Sequence, residues 1–284
     1  MNYAPELLDY LTKRPDLREI ILGPNAPPMG RTEAGLQPLF DGRLSAAEIR
    51  NTLTTLRSHS SIQASPVGTQ GTFSFGIASL GRFRVSYMTQ RSSFVLRLAR
   101  VPVHIPALET LLEDPAAVET VDALFGRRTG GIVIVTGPSD ARNRLLVYAA
   151  LQRLSEREIR MIYILEKSMS YLLGHGRSIV FQSELDTDVT SVQEGIEAAL
   201  QIVPDVMYVG DVVAHEDLLR LLKAAEMGVA VVTTLRAADE AQAVARFVSG
   251  FRERYSDFAA LERRLVKVLP GADDKMRLEM AALP

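Results

Sequence analysis

The stretch Gly131-Ile132-Val133-Ile134-Val135-Thr136-Gly137-Pro138-Ser139-Asp140-Ala141-Arg142-Asn143-Arg144 decides the fold class. Its first six residues are an apolar, β-branched run of strand length, Gly137-Pro138 breaks that run, and a helical pattern then continues to Leu154. The same alternation repeats downstream: strand-like Met161 to Leu165, a helix over 191–202, strand-like Val206 to Val209, a helix over 215–227 and strand-like Val229 to Thr234. Strands alternating with helices imply an α/β fold with a mostly parallel sheet, because each helix carries the chain back across a face of the sheet and covers it. Arg264 to Leu269 and Met276 to Ala282, around Pro270-Gly271-Ala272-Asp273-Asp274, predict a closing hairpin.

Upstream the pattern changes. Apolar residues recur at helical spacing over 3–13 and 45–57, with Ser45 placed to cap the second helix. Between them Gly23-Pro24-Asn25-Ala26-Pro27-Pro28 is rich in turn formers, and Met29 to Leu39 is strand-like. Over 71–100, Phe73, Phe75 and Ile77 alternate with Thr72, Ser74 and Gly76, and Phe83, Val85 and Tyr87 alternate with Arg82, Arg84 and Ser86. A period of two means half-buried antiparallel strands, so the first hundred residues predict a small helix-and-sheet domain. Pro102 to Pro106 interrupts this before a helix near 107–125. The expected division is a first domain over 1–101, a linker over 102–112 and a second domain over 113–284.

Composition excludes several classes. With 47% hydrophobic and 23% charged residues the 284-residue chain has material for real cores, and its length suits two domains. A net charge of -2 with both signs interspersed gives no global attraction for nucleic acid or an anionic bilayer. There is no cysteine, which removes disulfides, thiolate metal sites and cysteine nucleophiles. His59, His104, His175 and His215 lie far apart without metal-ligand spacing, so no metal is expected. The first residues carry Glu6, Asp9, Lys13, Arg14 and Asp16, unlike a signal peptide, and apolar runs such as Ile132 to Val135 fall far short of the ~20 residues of a membrane helix. A cytoplasmic protein without direct membrane insertion is expected.

Several local strings, in this order of elements, resemble the type IV pilus retraction ATPases, the PilT-like members of the secretion superfamily ATPases. In the first domain these are Ala26-Pro27-Pro28-Met29-Gly30-Arg31 with Leu36 to Leu39, then Gly81-Arg82-Phe83-Arg84-Val85, Val95-Leu96-Arg97 and Ile105-Pro106-Ala107-Leu108-Glu109. In the second they are Gly131 to Pro138, Pro204-Asp205-Val206-Met207-Tyr208-Val209-Gly210-Asp211, and Ala224-Ala225-Glu226-Met227-Gly228 through Thr233-Thr234-Leu235. The resemblance implies a small PAS-like α+β amino-terminal domain followed by a RecA-like domain. It also implies a nucleotide site at the Gly137 loop, where the departures begin.

A phosphate loop reads G-x-x-x-x-G-K-[ST]: glycines let backbone N–H groups wrap the phosphates, lysine meets the β- and γ-phosphates and the hydroxyl holds magnesium. Here the corresponding residues run from Gly137 to Arg144. Arg142 stands at the second glycine, Asn143 at the lysine and Arg144 at the hydroxyl, while Asp140 adds a negative charge. Loss of the lysine removes charge that phosphoryl transfer relies on. Elsewhere Glu166 keeps the family's acidic position but Lys167 follows where the family has Asp, and Ser170 replaces a second acidic residue. Asp211 replaces the catalytic Glu, one methylene shorter; Val213 and Ala214 replace an Arg-Asp pair; and the Thr-Leu-His-Thr motif reads Thr234-Leu235-Arg236-Ala237. The family's carboxyl-terminal helical subdomain has no counterpart before Pro284, which argues against a full self-hexamer.

The resemblance with these departures implies a catalytically inactive pseudo-ATPase without a cofactor. Its expected role is as a regulator or adaptor that contacts a pilus motor ATPase or another motility or secretion protein at the inner face of the membrane. An atypical ATPase, with arginine in place of lysine, and a sensor that binds nucleotide or another anion without hydrolysis are the alternatives. Arg142 and Arg144 fit either a repurposed anion or acidic-partner contact at a helix amino terminus or a solvated first turn capped by Ser139 or Asp140. Arg82, Arg84 and Arg97 fit either the family's nucleotide contact from the first domain or an exposed strand face.

Overall fold

A computed structural model describes residues 1–61, 66–78, 80–211, 214–235, 237, 240–249 and 261–283. The chain divides into two units, Met1–Pro102 and Val103–Pro284.

The first unit begins with α1 (Ala4–Lys13), β1 (Glu19–Leu22), β2 (Met29–Thr32), β3 (Gly35–Pro38) and α2 (Ala46–Ser58), and ends with β4 (Gln70–Ile77), β5 (Gly81–Gln90) and β6 (Ser93–Arg100). Its strands make one antiparallel sheet in the order β3-β2-β1-β6-β5-β4. The period of two seen over 71–100 sends Phe73, Phe75, Phe83, Val85, Leu96 and Leu98 to one face, where Leu7, Leu11, Ile49, Leu53 and Leu56 of the two helices cover them. Ser45 caps α2 in a complete capping box with Glu48. Two features differ from the sequence reading: the strand-like stretch from Met29 is a hairpin that turns at Gly35 (φ 114°), and β1, sandwiched between β2 and β6, is an additional strand.

In the second unit, α3 (Leu108–Leu111) and α4 (Ala116–Phe125) replace the single helix expected near 107–125; Asp114-Pro115 divides them, Pro115 standing at the α4 N-cap. Ile105, Leu108 and Leu112 are buried in this unit's core, so most of the stretch expected as linker is packed structure. Next come β7 (Ile132–Thr136), α5 (Asp140–Arg157), β8 (Met161–Glu166), β9 (Ile179–Glu184), α6 (Val192–Gln201), β10 (Val206–Val209), α7 (His215–Glu226), β11 (Ala230–Thr234), α8 (Glu240–Ser249), β12 (Arg263–Pro270) and β13 (Met276–Ala282). The sheet order is β13-β12-β7-β11-β10-β8-β9, parallel except for the β12–β13 hairpin. Alternate residues of its strands enter two separate cores. Val133, Val135, Ile162 and Ile164 face α4 and α5, and Ile132, Ile134, Tyr163 and Leu165 face α6 and α7. Burial on both faces is why these strands read as continuous apolar runs. β9 was not read from the sequence because its edge position leaves Ile179 and Phe181 exposed and Gln182 and Ser183 half-buried.

Candidate functional site

The carboxyl ends of β7, β8, β10 and β11 converge on the amino terminus of α5. All five residues of β7 are buried, and Gly137 follows directly. A Cβ at Gly137 would lie 2.4 Å from the Val268 carbonyl oxygen on β12 and 2.8 Å from Asn143 Oδ1. Packing against β12 alone therefore requires glycine there.

The loop is short because Ser139 caps α5 in an extended conformation and the helix starts at Asp140. The Asn143 N–H donates to the Ser139 carbonyl at 3.0 Å, and the Arg142 N–H reaches Ser139 Oγ at 3.4 Å. These are N–H groups that a phosphate loop turns toward its ligand, and here the helix and its cap take them up. Arg142 is helical, with no positive φ of the kind a glycine would supply. Asp140 is half-buried in the first turn, where its charge complements the helix dipole.

The side chains in the lysine, glycine and hydroxyl positions each find a partner within the protein. Asn143 is 1% exposed; its Nδ2 donates to the Gly137 carbonyl at 3.4 Å, and its Oδ1 is buried without a hydrogen-bond partner among the described residues. Arg142 turns to the β12–β13 connection, donating to the Lys275 carbonyl at 3.0 Å and pairing with the Asp274 carboxylate. Arg144 donates to Asp211 Oδ2 at 3.0 Å. Asp211 is in the left-handed region (φ 53°), its N–H donates to Thr234 Oγ1 at 2.8 Å, and that hydroxyl donates back to Oδ1 at 3.3 Å. The pair joins the first turn of α5 to the ends of β10 and β11.

Glu166, at the end of β8, is 4% exposed. It accepts hydrogen bonds from the Tyr148 hydroxyl (2.7 Å), the Ser170 N–H (2.8 Å) and hydroxyl (3.1 Å), and the Tyr208 hydroxyl (3.3 Å). Burial pushes its carboxyl above the ordinary value, while the Tyr148 and Ser170 donors and the Arg144 charge pull down without cancelling the rise. Burial and the adjacent Glu166 charge drive Tyr148 and Tyr208 well above a normal phenol, so both remain proton donors. The sequence reading singled out neither tyrosine. Tyr148 lies four residues after Arg144 on the same helix face, a spacing that placed it beside the loop.

The remaining sequence candidates are scattered. Lys167 is exposed just beyond β8 and has no ion-pair partner among the described residues. Arg236 and Val213 lie outside the described residues, and Ala214 is the N-cap of α7. Arg82 and Arg84 are half-buried on β5 of the first unit. Arg97 pairs with Glu19, which also accepts from Arg31 Nε at 2.7 Å. Burial acts to raise the Glu19 carboxyl, but the two guanidiniums prevail and hold it below the usual range. His59 stacks on Phe75 and His175 Nδ1 accepts the Val180 N–H at 3.1 Å. Among the described residues no group of three or more His, Cys, Asp or Glu could hold a metal ion, and no helix is long and apolar enough to cross a membrane.

Residues 56–255 match the family model described as type II/IV secretion system protein. The Pseudomonas aeruginosa type IV pilus ATPase PilU is 25% identical over 233 residues, 82% of this chain and 60% of that protein. The uncharacterized Escherichia coli protein YggR is 30% identical over 185 residues, 65% of this chain and 55% of that protein. The chain thus spans 55–60% of the length of these two relatives. Among solved structures, the pilus retraction motor PilT with bound ADP aligns over 100% of this chain and 83% of that one, at 24% identity and a TM-score of 0.79. The Legionella pneumophila ATPase DotB aligns over 99% and 81%, at 20% identity and a TM-score of 0.77. These likenesses give the fold as an amino-terminal domain followed by a RecA-like domain. The chain belongs to the type II/IV secretion system protein family and is PilT-like within it.

Proposed function

We propose that this chain is a non-hydrolysing PilT-like protein that acts through protein contacts, as a regulator or adaptor in a type IV pilus or related secretion machine. The observation that carries the reading is the Arg144–Asp211 ion pair. The family pattern calls for a hydroxyl to hold magnesium and an acid to orient water; this chain puts a guanidinium at the first position and seats it on the carboxylate at the second. A magnesium ion would have to compete with a cation tethered 3.0 Å from that carboxylate. With Asn143 in place of lysine and its amide turned to Gly137, the donor set does not fit a magnesium triphosphate. The pilus connection is supported by PilU, and the likeness to PilT supports a fold that would offer similar docking surfaces. Its proposed partner is a pilus motor ATPase or another component of such a machine, met in the cytoplasm at the inner face of the membrane.

The test is turnover and calorimetric binding of ATP with magnesium by the purified chain, beside a PilU-type ATPase as positive control. The expected result is no turnover above background and no change in Asp211→Ala. Turnover that Asp211→Ala abolishes would overturn the reading in favour of an atypical ATPase. Tight ATP binding without turnover would replace it with a sensor. Co-purification from the native cell addresses the adaptor role: recovery of pilus or secretion components supports it, and their consistent absence counts against it.

A further inference from the structure

We infer that Arg142 is a latch that holds the β12–β13 turn against the first turn of α5, and that withdrawing its guanidinium from Asp274 and the Lys275 carbonyl releases the turn. The turn runs through a short 3-10 segment, Ala272–Asp274, between the two strands. Asp273 and Asp274 are consecutive residues in the left-handed region, at φ 50° and 61°. Side chains other than glycine occupy that region at a cost, although aspartate tolerates it better than most. The turn's internal bonds are few: the Gly271 N–H donates to the Lys275 carbonyl and the Lys275 N–H to the Ala272 carbonyl, both at 2.9 Å. Arg142 adds two anchors from outside, one to that same Lys275 carbonyl and one to the Asp274 carboxylate.

The latch is arranged for release. Asp274 is 91% exposed and Arg142 31% exposed, so solvent ions reach the pair. The backbone beneath it is anchored independently of the pair. Gly137 packs on the Val268 carbonyl, and the Glu113 N–H donates to the Met276 carbonyl at 2.9 Å. Loss of both Arg142 contacts therefore frees residues 271–275 without unravelling β12 or β13. An acidic residue presented by a partner would compete with Asp274 for the guanidinium and leave the turn exposed. This device does not depend on whether the chain hydrolyses nucleotide.

Hydrogen exchange of the full chain tests it, with parent, Arg142→Ala, Asp274→Asn, which keeps a residue suited to the left-handed region, and the double variant compared over peptides covering 268–280. Exchange at the Gly271 and Lys275 amides should rise about three- to tenfold in each single variant, with β7 and α5 unchanged. The double variant should exchange no faster than Arg142→Ala, because that single change already removes both anchors, the one to Asp274 included. The charge-reversed Arg142→Asp with Asp274→Arg should recover part of the protection, since it remakes the ion pair but leaves the Lys275 carbonyl without its donor. Unchanged exchange in Arg142→Ala, effects that multiply in the double variant, or a reversed pair that exchanges as fast as Arg142→Ala would each overturn the latch.

Discussion

Replacing Gly137 by alanine separates two reasons for keeping glycine at the start of the loop. If glycine were there to admit phosphates, alanine would cost nucleotide affinity and leave the unliganded protein nearly as stable. Packing predicts the opposite. The new Cβ would stand 2.4 Å from the Val268 carbonyl oxygen, against the 3.4 Å at which ordinary van der Waals contact begins, a deficit of 1.0 Å. Its second neighbour, Asn143 Oδ1, is a side-chain atom, but Asn143 is buried and cannot swing away freely. The strand backbone must therefore move, and overpacking of this kind costs about 1–3 kcal/mol. For a unit of this size that lowers Tm by about 2–12 °C. The assay is a far-UV circular-dichroism melt without nucleotide. Gly174→Ala is the control, since no atom lies within 4 Å of a Cβ there and its melting should stay within about 1 °C of the parent. A Gly137→Ala melt indistinguishable from that control would refute the packing argument.

Two further substitutions probe the second unit. Val203, just past the α6 C-cap, is 75% exposed at φ 51°, a position glycine usually fills; Val203→Gly should stabilise the chain by roughly 0.5–1 kcal/mol, and a lower urea midpoint would contradict this. Glu166 titrates above its ordinary value in the folded state, so folding takes up a proton between the unfolded and folded values. Its contribution is full below the unfolded value of about 4.3 and falls as pH rises through the folded one. Melting followed from pH 4.5 upward should decline more steeply in the parent than in Glu166→Gln, and parallel profiles would remove Glu166 as the cause.

Apolar periodicity determined what could be read of the fold. The strands of the second sheet are buried on both faces, so β7, β8, β10 and β11 stand out as unbroken apolar runs between helical patterns. β5 and β6 show the complementary period of two. β1 is four residues long and includes Glu19, whose charge is met by arginines from the strands on either side; no local pattern announces that arrangement. β9 fails for the opposite reason, since an edge strand exposes apolar side chains and loses its alternation. At the site, motif spacing singled out Gly137, Arg144, Glu166 and Asp211, which the fold puts at strand and helix ends. It could not supply their partners. Arg142 meets Asp274 across 132 residues and Arg144 meets Asp211 across 67, separations at which only the folded chain decides who pairs.

On the proposed non-hydrolysing reading, those long-range pairs supply from within the chain the charges that a nucleotide-type loop takes from its ligand. In a phosphate loop the backbone N–H groups and the positive end of the helix dipole require an anion, and the acid on the neighbouring strand requires a cation. Leaving both demands unmet would destabilise the ends of β7 and β10. Here Ser139 accepts the helix N–H groups, Asp140 supplies a negative charge beside the dipole, and Arg144 supplies a positive one to Asp211. Each replacement is modest: the Arg144–Asp211 pair, a quarter and nearly half exposed, is worth about 0.2–1 kcal/mol. Their value on that reading is in being internal, because the junction of α5, β10 and β11 is held by side chains of the chain itself. A surface that does not change with nucleotide state suits a protein working by contact and is a poor basis for a motor stroke.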